Sequence, residues 1–379
     1  MAFFSNFFQK EEARALGIDI GSSAIKIVQL KRKNGQAVLE TYGELALGPY
    51  AGLKVGQAVQ LPTDKLSQAL IDLMKEKEVN ITTKKCGVSI PFASSLMSVV
   101  EMPEVSDKQL SVMVPLEARK YIPVPISEVM LDWSVIPKGE IDLPNVEENP
   151  NQETFGVAEE VGVPKLIKVD VLVVAIHKET IARYQDIVAK AGLEAGFFEI
   201  EIFSTMRAVL DETLRPVLII DMGAASTKLY IVERGIIRSS HTVNRGSQDI
   251  TANISKSMTI SIEEAEVKKR EIGLIGSDQN FTDTIALILD HIFTEVNDTI
   301  LPFERKYNKT VAKVILVGGG AVLKGLSEVA KNNFKTEVEL AQPFNKVSAP
   351  AFLENILRET GPEFAVAIGL ALRKLSEEE

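Results

Sequence analysis

Two short runs of the chain pair an aspartate with a glycine and a lysine at one spacing. The first is Asp19-Ile-Gly-Ser-Ser-Ala-Ile-Lys26, and the second is Asp221-Met-Gly-Ala-Ala-Ser-Thr-Lys228. Apolar and β-branched residues flank each run, so each reads as strand, tight turn, strand. Such a turn presents successive backbone N–H groups as an anion-binding concavity. Gly21 lets the backbone approach a phosphate, because no Cβ intervenes. Ser22 and Ser23 add hydroxyl donors, and Lys26 adds positive charge. Asp19, at its strand end, repels phosphate directly. A hydrated Mg²⁺ reconciles the two, since that ion keeps several waters and takes few carboxylates. Asp221 and Gly223 offer the same from the opposite side. Two facing loops of this kind suit a Mg²⁺-nucleoside triphosphate. One strand–glycine–serine turn alone is commoner in generic α/β proteins than in phosphate sites; the matched pair reverses that balance.

Two further elements could complete such a site. Gly318-Gly-Gly320 follows the apolar strand Val311–Val317 and leads through Lys324 to an expected helix, whose N-terminus favours negative charge. Taken alone it is a strand-to-helix turn. Ser261 with Glu264 makes a capping box, so a helix starts there. Glu266 and Lys269 then share one face, as surface charges or as partners of a ribose and base.

The elements that position these residues repeat too. Asn34-Gly35 signals a hairpin into a strand near Ala37–Tyr42, and Gly235 opens the equivalent strand of the second half. One structural unit therefore occurs twice, most simply as two similar domains facing each other. At 379 residues, 45% hydrophobic and 25% charged, the chain is an ordinary globular protein too long for one core. A net charge of −10 without a basic stripe argues against nucleic acid. The lone Cys86 excludes an internal disulfide and fits a reducing compartment. His177, His241 and His291 have no metal-ligand spacing. No apolar run approaches the ~18 residues of a membrane helix, and the start lacks the marks of a signal peptide. A cytoplasmic protein is expected. Phe3, Phe4, Phe7 and Phe8 could form a one-turn apolar face, folded onto the protein itself or docked on a partner or membrane.

The order of these elements resembles the actin, Hsp70 and sugar-kinase superfamily: phosphate loop, second phosphate loop, Ala-Glu-x-x-Lys helix, Gly-Gly-Gly loop. Leu16-Gly-Ile-Asp-Ile-Gly-Ser after a Phe-Phe start, Phe198-Glu-Ile-Glu-Ile-Phe, and Phe364-Ala-Val-Ala-Ile-Gly-Leu-Ala-Leu-Arg resemble the branch that contains FtsA and the type IV pilus assembly protein PilM. The resemblance implies an α/β, actin-like duplicated nucleotide-binding fold with an inserted α+β subdomain. Its first half spans 1–215 with the insertion at about 83–177, its second half 216–345, and a C-terminal segment, 346–379, packs back on the first. Within the insertion, Cys86-Gly-Val-Ser-Ile-Pro, a helix near Asp107–Tyr121 and strands near Met130–Ile136 and Val169–Ile176 are similar to that branch. The Pro-, Glu- and Asn-rich segment 137–168 reads as an acidic loop with no chemistry assigned.

Residue by residue, the resemblance implies that Asp19 and Asp221 position Mg²⁺ through water. Gly21, Ser22, Ser23 and Lys26 contact phosphates from one side and Gly223 from the other. Glu266 and Lys269 hold the ribose and base edge, while Gly318, Gly319 and Lys324 close the adenine side of a bound ATP. Ala224-Ala225 departs from hydrolytic relatives, which carry Gly, Ser or Thr there. No residue that orients an attacking water is obvious. Glu199 and Glu201 stand near the right place, or serve as strand-end and interface residues. Weak or absent ATPase activity is expected. The family further implies a platform at the inner face of the cytoplasmic membrane, binding the N-terminal cytoplasmic peptide of a PilN-like single-span protein. The alternative is an FtsA-like membrane-associated filament, against which the acidic end Leu375-Ser-Glu-Glu-Glu argues. A small-molecule kinase lacks its substrate-directed aspartate.

Overall fold

In the computed structural model, which describes residues 12–136, 168–211 and 214–378, the first run folds as β1 (Arg14–Ile20) and β2 (Ala24–Lys33). The chain returns along β3 (Gln36–Ala46) through Asn34 and Gly35, at φ 53° and 79°. A two-residue hairpin turn that follows the strands' twist needs left-handed backbone at both positions, which Asn and Gly tolerate. Next come α1 (Thr63–Lys75) and β4 (Lys85–Ile90). The smaller of two compact units, Ala93–Glu179, follows. It contains β5 (Ser95–Pro103), α2 (Asp107–Ala118), β6 (Val129–Val135) and β7 (Lys168–His177). The chain resumes the larger unit in α3 (Lys178–Lys190), β8 (Glu194–Ile200) and α4 (Glu201–Val209). The first half's sheet has the order β3-β2-β1-β4-β8, with β1, β4 and β8 parallel.

The second half repeats this plan. β9 (Val217–Met222), β10 (Thr227–Glu233) and β11 (Ile236–Val243) form the meander, turning at Arg234 (φ 53°) and Gly235 (φ 74°). Then come α5 (Ser247–Met258), α6 (Ile262–Ile272), α7 (Gln279–Tyr307), β12 (Lys313–Val317), α8 (Leu326–Phe334) and β13 (Glu337–Leu340). The sheet order β11-β10-β9-β12-β13 is the first half's pattern again. Its apolar face, from Leu218, Ile220, Leu229 and Ile231, packs against Phe281, Leu289 and Phe293 of α7. Short α9 (Glu354–Thr360) leads into α10 (Ala365–Glu377).

α10 is apolar nearly all round and must be buried. It packs across β1, β2 and β4 and against α4, in the first half. Gly17 and Gly369 make that approach close, because a Cβ on either would run into the backbone oxygens of Ala367 and Ser204 respectively. Glu199 fastens the same corner, accepting from Ser204, Arg207 and Arg373. Those donors outweigh burial and hold its carboxyl below the ordinary range, so its role is structural.

The smaller unit has its own core. Strands in the order β5-β7-β6 carry Val100, Val129, Val171 and Val173 against Leu110 and Val114 of α2. Its boundary differs from the expected start near 83. β4 pairs in parallel with both β1 and β8, so Cys86, Val88 and Ile90 belong to the main body's core. Cys86 is fully buried, and burial pushes its thiol up to about 12, leaving it unreactive. The N-terminal phenylalanines and, apart from Lys168, the acidic segment lie outside the described residues. Among the described residues no helix is long and apolar enough to cross a membrane, and no group of His, Cys, Asp and Glu is arranged to hold a metal ion.

Candidate functional site

Parallel strands end together, so β1 and β9 deliver Asp19 and Asp221 to the same edge of their sheets, and the two sheets face each other across a cleft of about 630 Å³. The two turns are copies. The Gly21 N–H donates to Ala24 O and the Gly223 N–H to Ser226 O, both at 3.0 Å. A Cβ at either glycine would press on that same carbonyl, at 3.1 and 3.0 Å. Glycine is thus required by the turn itself as well as by any phosphate. Register places Asp19 opposite Lys26 and Asp221 opposite Lys228.

Every residue expected to contact nucleotide or metal lines this cleft: Asp19, Gly21, Ser22, Ser23, Lys26, Asp221, Gly223, Glu266, Lys269, Gly318, Gly319 and Lys324. Their partners differ from expectation in places. Glu266 and Lys269 are buried and bond each other at 2.7 Å, with Thr251 donating to Glu266 at 2.6 Å and Arg270 at 2.7 Å. Against burial, Lys269, Thr251 and Arg270 hold the Glu266 carboxyl below its ordinary value, while burial lowers the Lys269 ammonium. This end of the cleft is a set polar network. Lys324 donates to the Glu271 carbonyl at 2.8 Å, near the end of α6. The Gly318–Gly320 turn does not abut a helix N-terminus as expected, since α8 begins only at Leu326, after Gly325 at φ 84°. Gly318, at φ 88°, lies against the second loop, where a Cβ would stand 2.5 Å from Asp221 Oδ1.

The strand-end side is the acid-rich end. Asp19 Oδ1 accepts from Ser89 Oγ at 2.8 Å. Burial, with Glu201's charge adding, pushes its carboxyl up to about 6 despite Lys26, Ser89 and Lys228. Lys26 lies 3.5 Å from Glu44, its neighbour on β3, and 3.9 Å from Glu363. Burial opposes its charge, but Glu44, Glu363 and Asp19 prevail and raise it. Lys228 lies 2.7 Å from Glu201 and 3.5 Å from Asp221, and those acids likewise outweigh burial. Glu201 opens α4 and also accepts from the Phe92 N–H at 2.7 Å. Sequence reading omitted Lys228, Glu44, Glu363 and Arg270 from the site. The match of Lys228 to Lys26 was visible; the acids come from strands and loops remote in sequence.

Mg²⁺ held through water by Asp19 and Asp221 fits in part. Both carboxylates face the cleft, yet Asp221 already shares an ammonium and Asp19 a hydroxyl.

A profile of type IV pilus assembly protein PilM matches residues 17–148 and 159–375. The chain belongs to the PilM family. A solved PilM–PilN type IV pilus biogenesis complex is 25% identical to this PilM-family chain, covering 95% of it and 98% of its own chain at a TM-score of 0.76. FtsA of Neisseria meningitidis is 24% identical over 86% of this chain and 82% of its own length. MreB5 of Spiroplasma citri bound to AMPPNP is 12% identical, covers 96% and 97%, and has a TM-score of 0.51. The fold is therefore the actin-like one, duplicated as its strand orders indicate.

Proposed function

We propose that this protein is an ATP-binding platform of the type IV pilus assembly machinery, peripheral at the inner face of the cytoplasmic membrane. It binds the N-terminal cytoplasmic peptide of a PilN-like inner-membrane protein. The observation that carries this reading is the match over nearly the whole chain to a PilM–PilN complex. ATP is supported by the duplicated glycine turns facing each other across one cleft, and by AMPPNP in an actin-like relative. Mg²⁺ arrives on the nucleotide, with Asp19 and Asp221 facing its waters. Asp19, Gly21, Ser22, Ser23, Lys26, Asp221 and Gly223 receive the phosphates, and Glu266, Lys269, Gly318, Gly319 and Lys324 the nucleoside.

Turnover is weak or absent in this reading. Ala224 lines the cleft without a polar side chain, and Glu201, which also lines it, is engaged by Lys228 and the Phe92 N–H. The likeness to FtsA favours a second reading, a membrane-associated filament. The deciding experiment is fluorescence anisotropy of a labelled N-terminal peptide of the PilN-like partner, with and without Mg²⁺-ATP. Micromolar or tighter binding, lost for a scrambled peptide, supports the platform. No binding in either state, with nucleotide-dependent pelleting, supports the filament.

A further inference from the structure

The two halves differ where their repeats should match. On the far side of Lys26, β3 supplies Glu44; on the far side of Lys228, β11 supplies Thr242. With Asp221 of β9 on one side but no acid on β11 on the other, Lys228 reaches out of the second half to Glu201, the first residue of α4 in the first half. Both lysines line the cleft and are mostly shielded from solvent. Glu266 and Lys269, which receive the nucleoside, lie on α6. Glu363 and Glu44, the partners of Lys26, lie near Arg270 of α6 and Gly319, whereas Lys228 is held by Glu201, so a polyphosphate laid along the two turns from the α6 end would bring its last phosphate toward Lys228.

We propose that Lys228 is a second phosphate-binding lysine, which reads the terminal phosphate and so sets the preference for a nucleoside triphosphate over a diphosphate. This inference rests on the nucleotide reading above. The ammonium is shared by Glu201 at 2.7 Å and Asp221 at 3.5 Å. A terminal phosphate offers it a doubly charged acceptor, against one carboxylate that keeps a second donor in the Phe92 N–H. Glu201 thus stays satisfied when the lysine turns away. A diphosphate stops short, and the lysine stays on Glu201. Lys26, flanked by Glu44 and Glu363 on its own side, serves both ligands alike.

The test is titration calorimetry of the full chain with ATP and with ADP, both with Mg²⁺. The wild type is expected to bind ATP about tenfold more tightly than ADP, the ratio that one charge-assisted contact of about 1.4 kcal/mol supplies. In Lys228→Met that ratio collapses to within about twofold, with ADP affinity retained, as expected for one lost terminal contact. Because Lys228→Met strands two acids, Lys228→Met/Glu201→Gln is measured beside it; the glutamine keeps an acceptor for the Phe92 N–H. Lys228→Arg is expected to preserve the preference. A wild type that binds both nucleotides equally, or variants that keep the ATP preference, overturn the inference while the nucleotide reading stands. A wild type that binds neither overturns both.

Discussion

The two glycine turns make the same backbone bond at 3.0 Å and the same cross-strand Asp–Lys pairing, yet their charges are neutralised differently. The first turn is settled within its own half and the C-terminal segment: Ser89 serves Asp19, and Glu44 with Glu363 serves Lys26. The second turn is settled across the cleft, through Lys228 and Glu201. Duplication thus preserves backbone geometry, which local residues dictate, more faithfully than electrostatics, which depends on what the neighbouring strand and the opposite half supply. The Lys228–Glu201 pair also joins the two halves within the cleft lining. Through the Glu201 carboxylate the same pair holds the backbone of Phe92, at the end of the first stretch of the larger unit.

The largest effect should come from breaking the cross-cleft pair. Lys228→Met leaves Glu201 and Asp221 shielded without their cation and is expected to cost about 3–5 kcal/mol, the range for breaking one side of a buried pair. Chemical denaturation measures it. Lys26→Met should cost less, about 1–2 kcal/mol, because Glu44, with 40% of its side chain exposed, regains water and the shielded Glu363 is the more distant partner at 3.9 Å. Equal losses would sink the distinction between the turns.

Next in size is packing at an equivalent pair of positions. Gly17 of β1 lies beneath α10, where the second half has fully buried Ile219 on β9. Gly17→Ala is expected to destabilise by about 2–3 kcal/mol through overpacking, seen as a lowered Tm. Ile219→Val should lose only about 1 kcal/mol.

A smaller, opposite effect is expected at Asp19. Its folded carboxyl is raised from 3.8 to about 6, so the folded state holds a proton the unfolded chain has released, and stability falls as pH rises through that window. Asp19→Asn removes the buried charge and should stabilise the ligand-free protein by about 1–2 kcal/mol at pH 7.5. The gain should vanish near pH 4; a pH-independent difference would refute the buried charge as its cause.

The smallest effect sharpens the contrast most directly. Thr242→Glu gives Lys228 the cross-strand acid that Lys26 already has. Stability should change by less than about 1 kcal/mol. The coupling between Lys228 and Glu201, measured by a double-mutant cycle in each background, should weaken in the Thr242→Glu protein.

Much of this molecule was legible in its sequence. The repeat of Asp, Gly and Lys, the Asn34-Gly35 turn and the Ser261–Glu264 cap all carry information within a few residues, and each formed as read. The residues singled out for the site gathered around one cleft because all but those of α6 and Lys324 sit near strand ends or in the turns that follow them, which a parallel arrangement brings to one edge. Less legible were the limits of elements whose neighbours come from far away. β4 reads as part of the insertion until its pairing with β1 and β8 is known. α8 starts late because Gly318 and Gly325, both at positive φ, keep the chain in turns between them.

By itself, then, the sequence determined the duplicated turns, their glycines and the apolar helix that had to be buried, since each follows from local backbone preference or from hydrophobic pattern. Only the tertiary structure decided which charge answers which. Glu201 and Lys228 are 2.7 Å apart, and Glu363 stands 3.9 Å from Lys26, although each pair is remote in sequence. Coulombic partnership depends on distance and burial, and no spacing rule within one chain segment encodes either.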